Sequence, residues 1–562
     1  MVIQFSADDR TISVGGHAES QRTASVLVLT LVVVALLTLG AAAFFERMFA
    51  EHRASRAAGR QLQARHLAES GVEYIKAVLL QEPAVIQDSG GLYANPSLFQ
   101  GMLAIDDPLA AFRGRFTALA PNLTTDGLYG GIRYGLENES SRLNLNAVLL
   151  ADSGGPDGAR KLLMTLPGMT ESIADAILDW IDPDDQPRQL GAERDYYSSL
   201  AAPYEPRNGA LASIEELLMV RDVTPALLFG ADLNRNAAID GLEQPLMAID
   251  NVDNSTGLLN RGWAAYLTLD SAESNLRPNG KPKIDVNNDN LEELHKELVA
   301  VLGTDMANFI IAYRQGGPYD GNAAGQPASG VQLDFKQPGQ HKLSTILDLV
   351  GVRTRIPPPG RSGQNGENGG QGSDNNGQQN ETGSDGPAQA SGRQGRDGDG
   401  AVVNAAFADD SAAMQSYLKK LMDNLTVIDA PTIPGRLNIN QAHRRLLTGI
   451  PGLNATQIDQ IIANRDVTLG RQRPEQRDET WLLTDGIVDL DEMKRLMAFV
   501  TTGGSVYRAQ VVGFFDAEGP ADRLEVVIDA TQSPPIVRRR WELRELGPGY
   551  SLEVLGATQD AR

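Results

Sequence analysis

The sequence predicts an α+β protein in which one long N-terminal helix and strands at both ends of the chain flank a large helical block. Three observations predict this. Residues Ala24 to Phe45 form an apolar run without a charge. Alternating apolar and polar stretches occur between residues 112 and 136 and again after residue 506. The intervening region carries apolar residues at helical spacing. At 562 residues the chain is too long for a single core.

The elements follow in order. Residues 1–24 read as a leader. The run at residues 25–45 reads as a transmembrane helix, because the 22 residues from Ala24 to Phe45 cover about 33 Å as a helix, enough for the hydrocarbon core of a bilayer. Glu46-Arg47-Met48-Phe49 follows without a break, and Ala68, Val72, Ile75 and Leu79 recur on one helical face, so residues 46–83 read as an amphipathic continuation. Arg47, Arg53, Arg56 and Arg60 lie beyond the span and only Arg22 lies close before it. The positive-inside rule alone would place the C-terminal side in the cytoplasm. Residues 84–142 hold strand candidates at Phe112–Leu119 and Ile132–Leu136. A helical region spans 143–356. Residues 357–403 are rich in Gly, Asn and Gln, and up to Gly400 they hold no large aliphatic or aromatic side chain, so they read as a disordered insert. Helical material resumes over 404–500. The chain closes with strand candidates Val506–Phe515, Arg523–Ala530 and Ile536–Leu546 in residues 501–562. In the last of these, Val537, Trp541 and Leu543 are expected to share a face with Arg539.

Composition narrows function. A formal charge of −22 argues against a nucleic-acid backbone as the main partner. With no cysteine, disulfides, thiolate metal sites and cysteine nucleophiles are excluded. The chain has no Gly-x-Ser-x-Gly, no phosphate-binding loop ending in Lys and no His-Glu-x-x-His, so the reading is not an enzyme.

Two acidic segments carry cation chemistry. Residues 232–243 place Asp232, Asn234, Asn236, Asp240 and Glu243 at positions 1, 3, 5, 9 and 12 of a calcium-type loop, with Ala237 where the sharp turn favours Gly. The loop is a sensor, a structural metal site or a coincidence in an acidic chain. The second segment runs Asp179-Trp180-Ile181-Asp182-Pro183-Asp184-Asp185 and on to Glu193. Asp182, Asp184, Asp185 and Glu193 could hold a cation, cap a solvated helix end or act as an acid–base pair.

An internal echo accompanies them. Arg142-Leu143-Asn144-Leu145-Asn146 with Leu166-Pro167-Gly168-Met169 is repeated as Arg436-Leu437-Asn438-Ile439-Asn440 with Ile450-Pro451-Gly452-Leu453, and more faintly at Lys283-Ile284-Asp285-Val286-Asn287. Each resembles a helix-hairpin-helix unit. The second glycine of the phosphate-binding turn is missing, and Glu171, Asp175 and Asp179 follow the first copy, so the units read as packing scaffold rather than DNA binders.

Together these residues resemble a family. The apolar helix running into Gln63-Ala64-Arg65-His66-Leu67-Ala68-Glu69-Ser70-Gly71 is followed by Arg142-Leu143-Asn144-Leu145-Asn146 and Asp179-Trp180-Ile181-Asp182. Gly191-Ala192-Glu193-Arg194-Asp195, Pro203-Tyr204-Glu205-Pro206-Arg207-Asn208 and Ser213-Ile214-Glu215-Glu216-Leu217 come next. In this order they resemble GspK, the large minor pseudopilin family of type II secretion. The resemblance implies a pilin-like core, one long helix on an antiparallel sheet, with the all-α domain inserted between strands. It implies a single-pass bacterial inner-membrane protein with a periplasmic body. Its implied partners are minor pseudopilins I and J, the pseudopilus and the inner-membrane secretion platform, in a tip complex that supports protein export across the outer membrane. It also implies calcium in the helical domain, with the 232–243 loop as its candidate place and a structural rather than sensory role. Prepilin peptidase would cut between Ala24 and Ser25, where the family usually has Gly in place of Ala24. Fibre-forming pilins carry Glu five residues into the mature helix; here that position is Leu29, as suits a subunit with no preceding amine to neutralise. A type IV pilus tip protein and a DNA-uptake protein are the alternative readings.

Overall fold

The computed structural model describes residues 18–154, 157–237, 243, 261–356, 400–468 and 473–557. The N-terminal helix is continuous over Ala18–Leu79. Its apolar first half is exposed along its length, and the most apolar 18-residue window has a mean hydropathy of 2.7. This is the one helix among the described residues long and apolar enough to cross a membrane. Its second half turns Ala68, Val72, Ile75 and Val78 onto a sheet, where they pack with Phe116, Ala118, Val511 and Val526. Each Val, Ile or Phe among them contributes on the order of 1.5–3 kcal/mol by leaving water. The fit is close at Gly513, where an added Cβ would lie 2.2 Å from the Ala64 carbonyl oxygen.

The sheet has seven strands, all paired antiparallel. Its main path runs Met102–Ile105, Gly114–Leu123, Val506–Phe515, Asp522–Asp529 and Ile536–Glu542. Tyr129–Tyr134 pairs with Gly114–Leu123, and Glu137–Asn138 pairs with Val506–Phe515. The first two expected strands are therefore present with shifted ends. Met102–Ile105 is an additional edge strand. The last strand carries a bulge at Arg538: Val527 opposes Arg539 while the adjacent Ile528 opposes Val537. The extra residue puts Val537 out of phase with Arg539 and Trp541, against the expected shared face.

The helical block leaves the sheet after Asn138 and returns at Val506, and these ends are neighbours, since Asn138 pairs with Tyr507 and Glu137 with Arg508. One hydrophobic cluster runs through the block from Leu143 to Val500. Within it the echo becomes three units of one design. Each opens on a two-residue strand that pairs in parallel with its closing strand: Leu143–Asn144 with Leu267–Thr268, Ile284–Asp285 with Leu425–Thr426, and Leu437–Asn438 with Val500–Thr501. In each, the first Asn or Asp side chain accepts from the amide two residues on. The second Asn then clamps a distant backbone. Asn146 exchanges bonds with Leu211, Asn287 does so with Leu343, and Asn440 donates to Gln476. Six residues beyond each clamp, Leu217, Leu349 and Leu482 are fully buried. The middle unit carries the insert between Thr354–Arg355 and Val402–Val403, which pair antiparallel. Val402 and Val403 are thus strand, although they fall inside the span expected for the insert; residues 357–399 lie outside the described residues.

Candidate cation corner of the first helical unit

The units differ at one corner, the C-terminal end of the main helix. In the second unit Arg314 donates to the carbonyls of Val286 and Asn288, and in the third Arg465 donates to those of Ile439 and Ala442. A guanidinium there suits the negative end of a helix dipole. In the first unit the helix Glu171–Ile181 ends instead in Asp179, with Asp182 as its C-cap. Carboxylates at this end of a helix oppose the dipole and need compensating positive charge.

Arg188 supplies part of it. Its backbone N–H donates to both oxygens of Asp179 at 3.2 Å, and its Nη1 donates to Asp179 Oδ1 at 3.1 Å and to Asp182 Oδ2. The turn closes tightly over Asp179: a Cβ at Gly191 would lie 1.7 Å from Asp179 Oδ2, so this position takes glycine. Asp175, one turn earlier, is held by Arg160 at 2.7 and 2.9 Å and by the Leu190 amide at 3.1 Å. Below the turn, Trp180, Tyr197 and Tyr204 form an aromatic cluster, with Trp180 Nε1 donating to Glu216.

Above it the oxygens converge. Ligand atoms of Asp182, Asp184 and Glu193 all lie within 4.8 Å of one another. Glu193 is only 4% exposed, yet neither of its carboxylate oxygens has a hydrogen-bond partner, and Asp182 Oδ1 has none either. Burial, together with the neighbouring Asp179, Asp182, Asp185 and Asp184, pushes the Glu193 carboxyl up to about 7. Burial also raises Asp179 and Asp182, against the pull of Arg188. Asp185, expected as a fourth ligand, is not in the trio; it accepts from Asn208 Nδ2 at 2.8 Å and faces Arg194 at 3.9 Å. Asn208 joins the corner from a distant turn. It adopts a left-handed φ of 47°, donates from Nδ2 to the Asp184 carbonyl at 2.9 Å, and leaves its own Oδ1 buried without a partner. Chemically, the corner offers clustered hard oxygen donors with their counter-charge incomplete, the supply that a calcium-sized divalent cation takes.

The 232–243 loop is organised differently. Asp232 accepts from the amides of Asn236 and Ala237 at 3.0 Å, Asn234 Oδ1 accepts from Asn236 at 3.0 Å, and Glu243 Oε1 accepts from Asn234 at 3.1 Å. Ala237 takes a φ of 59°, the conformation for which Gly is favoured. The loop also leans on the sheet side, with Asn236 donating to Gly549 and Arg523 donating to Asn234. Asp240 lies outside the described residues. Of the residues tied to processing and assembly, Ala24 and Ser25 fall within the long helix, and Leu29 is exposed on its apolar half.

The hairpin turns are occupied internally. Trp263 Nε1 donates to the Pro167 carbonyl at 2.7 Å, and Asn454 caps its own helix through a reciprocal pair with Gln457.

Residues 141–229, which hold the whole corner, match the family described as type II secretion system (T2SS), protein K. The chain is similar to type II secretion system protein K of Pseudomonas aeruginosa, 30% identical over 206 residues that cover 35% of this chain and 56% of that one. It is similar to the protein of the same name from Pectobacterium carotovorum, 29% identical over 204 residues covering 36% and 58%. The chain thus spans little more than half the length of the curated relatives it matches. Among solved structures it is similar to a chain of the GspK-GspI-GspJ complex from the enterotoxigenic Escherichia coli type 2 secretion system, with 12% identity, a TM-score of 0.33 and coverage of 87% and 98%. What the comparisons show is a match of residues 141–229 to the protein K family and a partial likeness to two proteins of that name.

Proposed function

We propose that this protein is a minor pseudopilin that helps form the tip of the type II secretion pseudopilus. It is anchored in the bacterial inner membrane by residues 25–45 and holds its sheet and helical block in the periplasm. The observation that carries the reading is a protein K domain displayed on a sheet that is itself packed on the continuation of an exposed apolar helix. The family resemblance supplies the partners, minor pseudopilins I and J. Leu29, 64% exposed on the apolar helix, fits a subunit at the start of a fibre.

The role proposed for calcium is structural. The Asp182–Asp184–Glu193 corner takes the ion first, because both Glu193 oxygens and Asp182 Oδ1 are buried without partners, whereas the described part of the 232–243 loop carries its turns on its own hydrogen bonds. When bound, the ion supplies positive charge; Asp182, Asp184 and Glu193 hold it. The test mixes the full chain in detergent with the I and J minor pseudopilins of its organism. Complex mass is read by light scattering with calcium and with chelator. A one-to-one-to-one complex weakened by chelator supports tip and metal together; a complex indifferent to chelator removes the metal; no complex in either condition sinks the tip reading.

A further inference from the structure

The cation corner carries a positive charge of its own, and its placement has a consequence for affinity. We infer that Arg188 is a built-in counter-ion that sets how tightly this corner holds a divalent cation, an inference that rests on reading Asp182, Asp184 and Glu193 as the cation site. That reading stands on more than the acidic cluster, because Glu193 is buried with both oxygens unpartnered. Arg188 is fixed at two points, by its backbone N–H on Asp179 and by its guanidinium bridging Asp179 and Asp182. It shares one carboxylate with the cation site: Asp182 gives Oδ2 to Arg188 and leaves Oδ1 open.

A cation seated against Asp182 Oδ1 and Glu193 therefore sits beside a guanidinium that stays in place. Two effects of opposite sign follow. The guanidinium repels the ion and weakens its binding. It also neutralises Asp179 and Asp182 and keeps the turn closed when no ion is bound. Asn208 fits the same design, since its buried Oδ1 adds a neutral oxygen and no further charge. Removing the positive charge of Arg188 should tighten cation binding while lowering stability in chelator. A role confined to holding the turn together would lower both.

The experiment titrates calcium chloride into the full chain in detergent micelles by calorimetry and follows melting in chelator. Arg188→Gln is expected to bind calcium about a hundredfold more tightly, the effect of deleting one charge roughly 6 Å from a doubly charged ion at an effective dielectric near 40, and to melt lower in chelator. Arg188→Lys keeps the charge and is expected to stay within about threefold of the parent; it serves as the folding control. Glu193→Gln should remove one calcium site. If Arg188→Gln binds calcium no more tightly than the parent while Glu193→Gln still removes a site, Arg188 is only structural and the inference falls. If Glu193→Gln binds calcium as the parent does, the cation reading of the corner falls and takes the inference with it.

Discussion

His443 joins the sheet to the helical block, and its acid response is calculable. The imidazole is 4% exposed, with its ring centroid 5.0 Å from that of Tyr129 on the sheet hairpin and 4.9 Å from that of Tyr266 in the block. Its Nδ1 accepts from the Arg445 amide at 3.1 Å, capping a short helix. Burial first, then the charges of Arg445 and Arg465, lower its pKa from 6.5 to about 3. Folding therefore favours the neutral ring, so this contribution is complete above about 6.5 and is lost as pH falls toward 3. At about 1.36 kcal/mol per pH unit, lowering the pH from 7 to 5 crosses 1.5 units below 6.5 and costs about 2 kcal/mol. His443→Asn keeps a capping acceptor but cannot titrate. Native-state hydrogen exchange of the 124–130 hairpin amides, corrected for intrinsic rates, would follow opening of the contact in both proteins. The parent's advantage over His443→Asn should shrink by about 2 kcal/mol between pH 7 and 5. A difference that stays flat with pH, or an imidazole resonance that titrates near 6.5, refutes the reasoning.

Two further outcomes follow from the packing. Arg508 donates to Glu139 at 2.5 Å and to Glu525 at 2.6 Å, all three being buried between block and sheet, so Arg508→Met strands two carboxylates and should cost about 3–5 kcal/mol in denaturant unfolding. Residues 357–399 depart from and return to an antiparallel pair, with the Ile356 amide bonded to Ala401 at 2.9 Å. Replacing them with a tight turn should leave the melting temperature unchanged or raise stability by up to about 2 kcal/mol, the closure entropy of some three halvings of loop length; a marked loss would show that the segment packs on the block.

Much of this architecture was legible because it is written in local patterns. An uncharged apolar run followed by Ala68, Val72, Ile75 and Leu79 on one face specifies a long helix, and the alternation in Val506–Phe515 gives its strand limits as observed. The middle unit was faint because Leu302-Gly303-Thr304 replaces the Pro-Gly turn, leaving only Ile284-Asp285-Val286-Asn287 as a signal. Met102–Ile105 went unseen because three of its four residues are exposed, so no buried face imposes alternation. The bulge at Arg538 is set by pairing to Asp522–Asp529, which no single-strand pattern encodes. At the candidate cation corner, residue type and spacing point to Asp182, Asp184 and Glu193, which the fold brings within 4.8 Å of one another. Arg188 and Asn208 could not be named this way. Their roles depend on which acids the fold brings beside them, although an arginine next to an acidic run and an Asn after Pro-Arg are where such a search would begin.

The neighbouring entry and exit of the helical block determine how the protein carries force. Tension along the long N-terminal helix would pass into the helix–sheet contact and be shared by Gly114–Leu123 and Val506–Phe515, which pair directly with one another. The block joins the sheet at Asn138 and Tyr507 and is braced against it by Arg508 on Glu139, by His443 on Tyr129 and by Asn236 on Gly549. A pull on the N-terminal end of the helix therefore meets the paired strands Gly114–Leu123 and Val506–Phe515 before it reaches the helix Glu171–Ile181, which lies in the block and not in the sheet.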